Sequence, residues 1–212
     1  MPLRPHDRPR HAKPVARLRR RVGLGVLALP LLAWAAAAGA AQATQGADVT
    51  VAVAANFAAP MKRIAQAFER ASGHRVVAAY ASTGKLYAQI AQGAPFQVLL
   101  AADAKTPERL QAEGRAVSGT RFTYATGRLA LWSRQTGGVD AQGAVLRSDR
   151  VSRLAIADPK LAPYGAAAMQ VLQRLGLETA LTPRLVIGES IAQAWQFTAT
   201  GNAPLASWRC RR

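Results

Sequence analysis

Four times along this chain, a short apolar strand ends in a few small or polar residues and a helix follows. The predicted strands and the turns after them are Val49–Ala55 with Asn56, Arg75–Tyr80 with Ser82-Thr83-Gly84, Leu154–Ala157 with Asp158–Tyr164, and Arg184–Gly188 with Glu189-Ser190. Strands that alternate with helices favour a mainly parallel sheet with helices on both faces. The predicted fold class is therefore α/β.

The four polar turns share one edge of such a sheet. Open α/β sheets bind ligands at the carboxyl ends of their strands, which is where these turns lie. Each helix start leaves about four backbone N–H groups without an intrahelical acceptor and carries a partial positive charge. Several helix starts directed into one cleft would bind an oxyanion, with no catalytic group required.

Residues 1–43 have the layout of a secretory signal. A basic stretch that includes Arg17 precedes an apolar run, Val22–Ala41, which ends in small residues. We place cleavage after Ala43, and Ala38-Gly39-Ala40 offers an alternative site. A retained membrane anchor is the other interpretation, and Pro30 within the run disfavours it. The expected location of the mature protein is the periplasm.

The composition of the mature chain excludes several classes of function. Without residues 1–43, the chain carries 20 Lys and Arg and 10 Asp and Glu, scattered along its length. A nucleic-acid interface usually concentrates such charge in a patch, so none is predicted, whereas a positive field would attract a small anion. The remaining Cys210 and His74 cannot form a disulfide framework or a zinc or iron cluster.

Further elements complete the α/β pattern. An amphipathic helix is predicted from about Ala58 to Gly73, with apolar side chains at Met61, Ile64, Ala65 and Phe68. The nearly all-apolar Gln97–Ala102 predicts a strand covered on both faces. Thr106 and Pro107 predict the N-cap and first residue of another helix. Arg128–Ser133 predicts a strand before the loose stretch Arg134–Arg153.

Six segments of the mature chain carry a pattern known from one family. They are Val51–Phe57, Tyr80–Leu86, Gln92–Asp103 with Thr106–Leu110, Tyr124–Ser133, Ile156–Gly165 and Gly201–Leu205. In this order they resemble the periplasmic molybdate-binding proteins of ABC transporters. The resemblance implies a two-lobed type II periplasmic-binding-protein fold, with lobes at 44–122 and 123–205, that closes around molybdate or tungstate. It also implies a monomeric receptor without a cofactor, whose partner is the transporter's membrane permease.

The resemblance also implies which residues hold the anion. The first turn would contribute Asn56, with Ala55 beside it, and the second would contribute Thr83, with Ser82 adjacent. The third and fourth turns would contribute the backbone N–H groups of Tyr164 and Ile191. A fifth donor of the family has no counterpart here. As isolated residues, Asn, Ser and Thr at such positions are most often simple helix caps.

The resemblance stops after Leu205. The family continues through a further strand and back into the first lobe, whereas here residues 206–212 form a polar, Arg-rich tail. We therefore expect a C-terminally truncated fold, in which a missing strand leaves a sheet edge open.

Two alternatives remain at this point. A receptor for another oxyanion, such as sulfate, would share the architecture. A secreted serine hydrolase would use Ser190, because Gly188–Ala192 is similar to a nucleophile elbow. That motif requires a second Gly and a later His, and no His follows Ser190, so we predict no enzymatic activity.

Overall fold

Two small sheets, each with its own helices, make up the part of the chain that the structure describes. This computed structural model describes residues 47–210, with side chains as far as Ser207. The strands are β1 Asp48–Ala54, β2 Arg75–Ala81, β3 Val98–Leu100, β4 Arg128–Ser133, β5 Leu154–Ala157, β6 Leu185–Gly188 and β7 Leu205–Cys210. The helices are α1 Ala58–Ser72, α2 Thr83–Ala91, α3 Lys105–Ala112, α4 Pro163–Arg174, α5 Glu178–Leu181 and α6 Ile191–Ala199.

The first sheet and the helices α1–α3 form what we call lobe 1. Its strand order is β2-β1-β3, and both neighbours of β1 are parallel to it. The central β1 is buried from Val51 to Ala54, and Met61 of α1 packs against it. Parallel strands joined through helices place all their carboxyl ends at one edge, so lobe 1 presents the turns after β1 and β2 together.

The second sheet and the helices α4–α6 form lobe 2. Its strand order is β4-β7-β5-β6, in which β7 is antiparallel to β4 and parallel to β5. The four residues of β5 are all buried, as expected for a strand inside an α/β sheet. Its core brings together apolar side chains of β5, α4, α5 and β7: Leu154, Ile156, Leu172, Leu181 and Leu205. The α/β class with mainly parallel strands is confirmed.

Several predicted elements keep their bounds and others shift. The strands Arg128–Ser133 and Leu154–Ala157 match the prediction, and α1 ends at Gly73, which adopts a left-handed φ of 73°. A strand forms within Gln97–Ala102 as predicted, but it is shorter and is not covered on both faces. It is the short edge strand β3, and Val98 is exposed. The helix predicted to begin at Pro107, with Thr106 as its N-cap, begins at Lys105, and the Asp103 carboxylate accepts from the Thr106 N–H.

The structure has a strand after Leu205, where the sequence predicted only a polar tail. Residues 205–210 form β7, which pairs along its whole length with β4 and at its start with β5. The strand was not predicted because its extended form depends on pairing with β4 and β5, which lie far away in the chain.

The N-terminal predictions lie outside the described residues. These are the signal segment 1–43 and both candidate cleavage sites, and the last two arginines of the tail fall outside as well. Within the described range, no helix is long and apolar enough to cross a membrane.

Candidate functional site

A small cleft lies where the carboxyl ends of strands from both lobes face each other. The empty space in and above it measures about 200 Å³, open solvent at its mouth included. Its lining comes from the turns after β1, β2 and β3 and from the starts of α4 and α6: Ala54, Ala55, Asn56, Ser82, Thr83, Ala102, Ala162, Pro163, Ser190 and Ile191. Every one of these side chains is uncharged. The four turns singled out in the sequence therefore meet in one place.

The turn after β1 brings Asn56 to the cleft. Residues Ala55–Phe57 form one 3₁₀ turn that leads directly into α1. The Phe57 ring meets the Tyr124 ring edge-on, with 4.9 Å between the centroids. Because Phe57 adjoins Asn56, this contact restricts the backbone that carries the Asn56 amide. An amide offers two N–H donors to a ligand.

The turn after β2 contributes two hydroxyl residues with different partners. The Thr83 side chain is buried, and its Oγ1 accepts a hydrogen bond from the Ala102 backbone N–H at 3.1 Å. The Ser82 side chain is only 4% exposed, and its Oγ has no hydrogen-bond partner among the described residues. Buried polar atoms almost always have a partner, so an unpaired hydroxyl in a cleft lining needs an explanation.

Ser82 is also the residue before the first turn of α2, yet its side chain makes no capping hydrogen bond. A Ser at this position normally caps the helix. The hydroxyl is therefore used neither as a cap nor in a hydrogen bond within the described part of the chain. This leaves it available to a molecule in the cleft.

The start of α4 reaches the cleft from lobe 2. Ala162 precedes the helix and Pro163 is its first residue. Since proline has no N–H, the first donor of α4 belongs to Tyr164. The Tyr164 side chain is buried with Ala157, Ala162 and Ile191. Its hydroxyl occupies the space that a side chain at Gly127 would take, because a Cβ there would lie 2.0 Å from that oxygen. The Tyr164 ring is thus a packing element.

The start of α6 is a capped helix end. The Ser190 Oγ accepts from the Gln193 backbone N–H at 3.4 Å, and the Gln193 side chain accepts from the Glu189 N–H at 2.6 Å. This reciprocal arrangement is a form of capping box. It occupies the third N–H of α6, whereas those of Ile191 and Ala192 have no acceptor among the described residues. Both precede the first intrahelical bond, at Ala194.

Tyr124 links the segment between α3 and β4 to lobe 1. Its hydroxyl donates to the Ala101 carbonyl at 2.7 Å. Burial, and secondarily the nearby Tyr164, raises the pKa of the Tyr124 phenol above its ordinary value, so the hydroxyl stays protonated and can donate. Sequence reasoning did not single out this residue. Its only signal was its place as the first residue of the family-like segment Tyr124–Ser133.

Two charged side chains that lie close in sequence to cleft-lining residues pair with each other between the lobes. Lys85, in the first turn of α2, lies 2.7 Å from the carboxylate of Glu189, which precedes Ser190. The cleft therefore relies on backbone and side-chain dipoles for any affinity for anions, together with the partial positive charge of the helix starts. Among residues 47–210, no three His, Cys, Asp or Glu side chains gather into a metal-binding group.

The arrangement of a serine hydrolase does not form around Ser190. Its hydroxyl serves as the cap of α6. The one histidine in the described part of the chain, His74, comes just before β2, whereas the cleft lies just after it. The seven residues of β2 separate the two by roughly 20 Å. Within residues 47–210, therefore, no imidazole lies within reach of the Ser190 hydroxyl.

Comparison with known proteins finds relatives that are solute-binding proteins. Residues 49–209 match the family described as bacterial extracellular solute-binding protein. The molybdate-binding protein ModA of Azotobacter vinelandii is 60% identical over 163 residues, and that of Rhodobacter capsulatus is 51% identical over 186 residues. The solved structure of the periplasmic molybdate-binding protein of Azotobacter vinelandii superimposes with a TM-score of 0.74 at 44% identity.

The matches cover most of this chain and a smaller share of the relatives. The two ModA proteins align with 77% and 87% of this chain, which spans 65% and 70% of their respective lengths. The solved structure aligns with 76% of this chain, which spans 71% of that protein.

Proposed function

The chain belongs to the family of bacterial extracellular solute-binding proteins, and we propose that it is a receptor for molybdate or tungstate. In this proposal the protein binds one oxyanion in the cleft between its lobes and delivers it to the membrane permease of an ABC transporter. Its relatives described above, which are molybdate-binding proteins, support the choice of ligand.

One observation carries the proposal: helix starts from both lobes converge on a cleft whose lining contains no charged side chain. A dianion in such a place is stabilised by hydrogen bonds from N–H and O–H groups and by the helix dipoles. Hydrogen bonds to a charged group contribute about 1.5–3 kcal/mol each. A few of them can therefore supply micromolar affinity without any counter-ion.

In lobe 1 we assign the anion's hydrogen bonds to Asn56 and Ser82. The resemblance to the family pointed first to Thr83, with Ser82 beside it. The hydrogen bonds favour the reverse order, because the Thr83 hydroxyl already holds the Ala102 N–H while the Ser82 hydroxyl is buried without a partner. The Thr83 backbone N–H, which is the first of α2, can still donate to the anion. Ala55 is a further residue of the cleft lining.

In lobe 2 we assign the anion to the backbone N–H groups of Tyr164 and Ile191. Tyr164 carries the first N–H of α4, and Ile191 carries the first N–H of α6. Backbone donors fit this role because their directions are determined by the helices and do not vary with side-chain rotamers. The buried Tyr164 ring and Ile191 side chain then fix where the two helix starts lie.

The same cleft would disfavour a protonated anion. A hydrogen phosphate carries a proton that needs an acceptor, whereas convergent N–H and O–H groups mainly donate, so a mismatch would leave groups unpaired. Sulfate is also a fully deprotonated dianion, and it differs from molybdate mainly in size. The proposed preference for molybdate over sulfate therefore rests on the relatives.

The proposal includes the setting in which the protein works. The mature protein is a periplasmic monomer, released by cleavage of the predicted signal segment, and it binds its ligand without transforming it. The relatives from Azotobacter vinelandii are binding proteins, and the solved one is periplasmic. The capped Ser190 hydroxyl, remote from His74, provides no nucleophile, which supports the assignment as a receptor.

Calorimetric titration of the purified chain with molybdate, tungstate, sulfate and phosphate tests the proposal. We expect molybdate and tungstate to bind with a stoichiometry of one, and sulfate and phosphate to bind at least tenfold more weakly. Ser190→Ala is the control, since that side chain caps a helix and should leave the selectivity unchanged. Equal affinity for sulfate and molybdate, or no binding of either, would refute the assignment.

A further inference from the structure

Lys85 and Glu189 form an ion pair that connects the two lobes. The Lys85 Nζ belongs to the first turn of α2 in lobe 1, and the Glu189 carboxylate belongs to the turn before α6 in lobe 2. Their charged atoms are 2.7 Å apart. The other ion pairs given for the described residues each join two residues of lobe 1. This pair is therefore placed to respond when the lobes move.

A second contact between the lobes lies beside the ion pair. The backbone N–H of Gly84 donates to the Leu161 carbonyl at 2.8 Å. The approach is so close that a Cβ at position 84 would lie 2.9 Å from that oxygen. Because Lys85 follows Gly84 in sequence, the ion pair and the backbone hydrogen bond join the lobes at adjacent residues, and we expect both to break if the lobes separate.

We propose that Lys85 and Glu189 act as a latch, meaning an ion pair that prolongs the closed state of the cleft without touching the ligand. The value of this to a receptor rests on the proposed function, because a longer closed state retains the bound anion. The pair adds no net charge, so it does not alter the neutral character of the lining. Its ammonium lies 2.7 Å from the Glu189 carboxylate, and neither side chain is among those that line the cleft.

The exposure of the two side chains determines how strong the latch can be. Lys85 is 40% exposed and Glu189 is 68% exposed. Ion pairs in such surroundings are weak and are screened by salt. We expect the pair to lengthen the closed state about two- to fivefold at low salt. A weak latch suits a receptor, since a strong one would hinder release of the anion.

An alternative role for Lys85 predicts a different pattern. If its ammonium attracted the anion directly, Lys85→Met would weaken binding, whereas Glu189→Gln would free the ammonium and strengthen it. A latch requires both substitutions to act in the same direction. It also requires the double variant to resemble either single variant, because each substitution removes the same interaction.

Single-molecule fluorescence transfer between the lobes measures the latch directly. Dyes are placed at Gln66→Cys in α1 and Arg174→Cys in α4, both exposed, in a Cys210→Ser background of the full chain. The closed-state dwell time is recorded at low and high salt, first without any oxyanion and then with molybdate. The variants are Lys85→Met, Glu189→Gln and their combination.

Arg121→Met is the matched control. The Arg121 and Glu108 side chains form a pair of comparable exposure, 3.2 Å apart, but both belong to lobe 1. Its loss should leave the dwell time unchanged.

The ligand-free measurement decides the proposal, independently of the proposed function. We expect both single variants and the double variant to shorten the closed dwell two- to fivefold, with the difference lost in about 0.5 M salt. Identical dwell times in all proteins would overturn the latch. So would opposite effects of Lys85→Met and Glu189→Gln. If molybdate fails to lengthen the closed dwell of the unmodified receptor, the assignment of the ligand fails while the latch is still judged.

Discussion

The hydroxyl of Tyr124 donates a hydrogen bond to the carbonyl of Ala101, the residue before cleft-lining Ala102. The Tyr124 ring also packs edge-on against Phe57, the neighbour of Asn56. One side chain thus supports two turns of the cleft, and removing its hydroxyl tests this support.

We expect Tyr124→Phe to lower the free energy of unfolding by about 1 kcal/mol, because a half-buried hydrogen bond is lost while the ring contact stays. Molybdate affinity should fall only slightly. Thermal unfolding and calorimetry measure the two effects, and Tyr80→Phe, at an exposed tyrosine, serves as the control. An unchanged melting temperature would show that the Tyr124 hydroxyl provides no support.

Ser82 and Thr83 should respond to substitution in opposite ways. Ser82→Ala removes a buried hydroxyl that has no partner, so stability should hold or rise, while molybdate binding weakens by about 1.5–3 kcal/mol. Thr83→Val keeps the shape but leaves the Ala102 N–H without its acceptor, so stability should fall by about 1–3 kcal/mol. Denaturant unfolding and calorimetric titration separate the two quantities. If Thr83→Val reduced affinity and Ser82→Ala did not, our assignment would have to be reversed.

Asn56→Ala should weaken molybdate binding without destabilising the fold. The Asn56 side chain lines the cleft, and its loss should reduce the binding free energy by about 1.5–3 kcal/mol, the range for a hydrogen bond to a charged group. Titration calorimetry measures the loss, with Asn202→Ala, an exposed asparagine remote from the cleft lining, as the control. Equal affinities of the two variants would exclude Asn56 from the site.

Gly84→Ala should separate stability from closure. Alanine is about 1 kcal/mol more favourable than glycine within a helix, so the melting temperature of the ligand-free protein should hold or rise. The added Cβ meets the backbone of Leu161 at 2.9–3.0 Å, so the lobes cannot close to the same extent and molybdate affinity should fall at least tenfold. Differential scanning calorimetry with and without molybdate records both effects. A variant that kept its full ligand-induced rise in melting temperature would contradict this account of closure.

Ser190→Ala should affect the fold more than the ligand. The Ser190 hydroxyl caps α6 through the Gln193 N–H, and such a cap typically contributes about 1 kcal/mol. We expect a lower melting temperature and a molybdate affinity within about threefold of the parent. Assays with ester substrates provide the opposing test, since an esterase activity that disappears in this variant would restore the hydrolase interpretation.

Local sequence predicted much of the fold because several strands are apolar runs between polar turns. Arg128–Ser133 and Leu154–Ala157 are examples whose bounds agree with β4 and β5. β7 escaped prediction because its Trp208-Arg209-Cys210 end carries no apolar run, and its extended form depends on pairing with strands far away in the chain. Local propensity cannot report such pairing.

The site was predictable as a set of turns, but not as a set of hydrogen bonds. Ser82 and Thr83 are adjacent hydroxyl residues at a helix start, and either could face the cleft on sequence grounds alone. The choice depends on Ala102, whose N–H comes from a different strand end and occupies the Thr83 hydroxyl. The contact between Gly84 and Leu161 likewise requires the relative position of two lobes, which no local pattern encodes.

The position of β7 late in the chain has a consequence for the order in which the two lobes can fold during synthesis. The three described strands of lobe 1 have all been synthesised by about residue 100. In lobe 2, by contrast, β7 is synthesised roughly 70 residues after β4, the strand with which it pairs. Such distant pairings form slowly and leave apolar strands uncovered meanwhile. While the chain is being synthesised, therefore, the described part of lobe 1 can form while lobe 2 still needs protection, and the most vulnerable interval begins at β4 and ends when β7 joins the sheet.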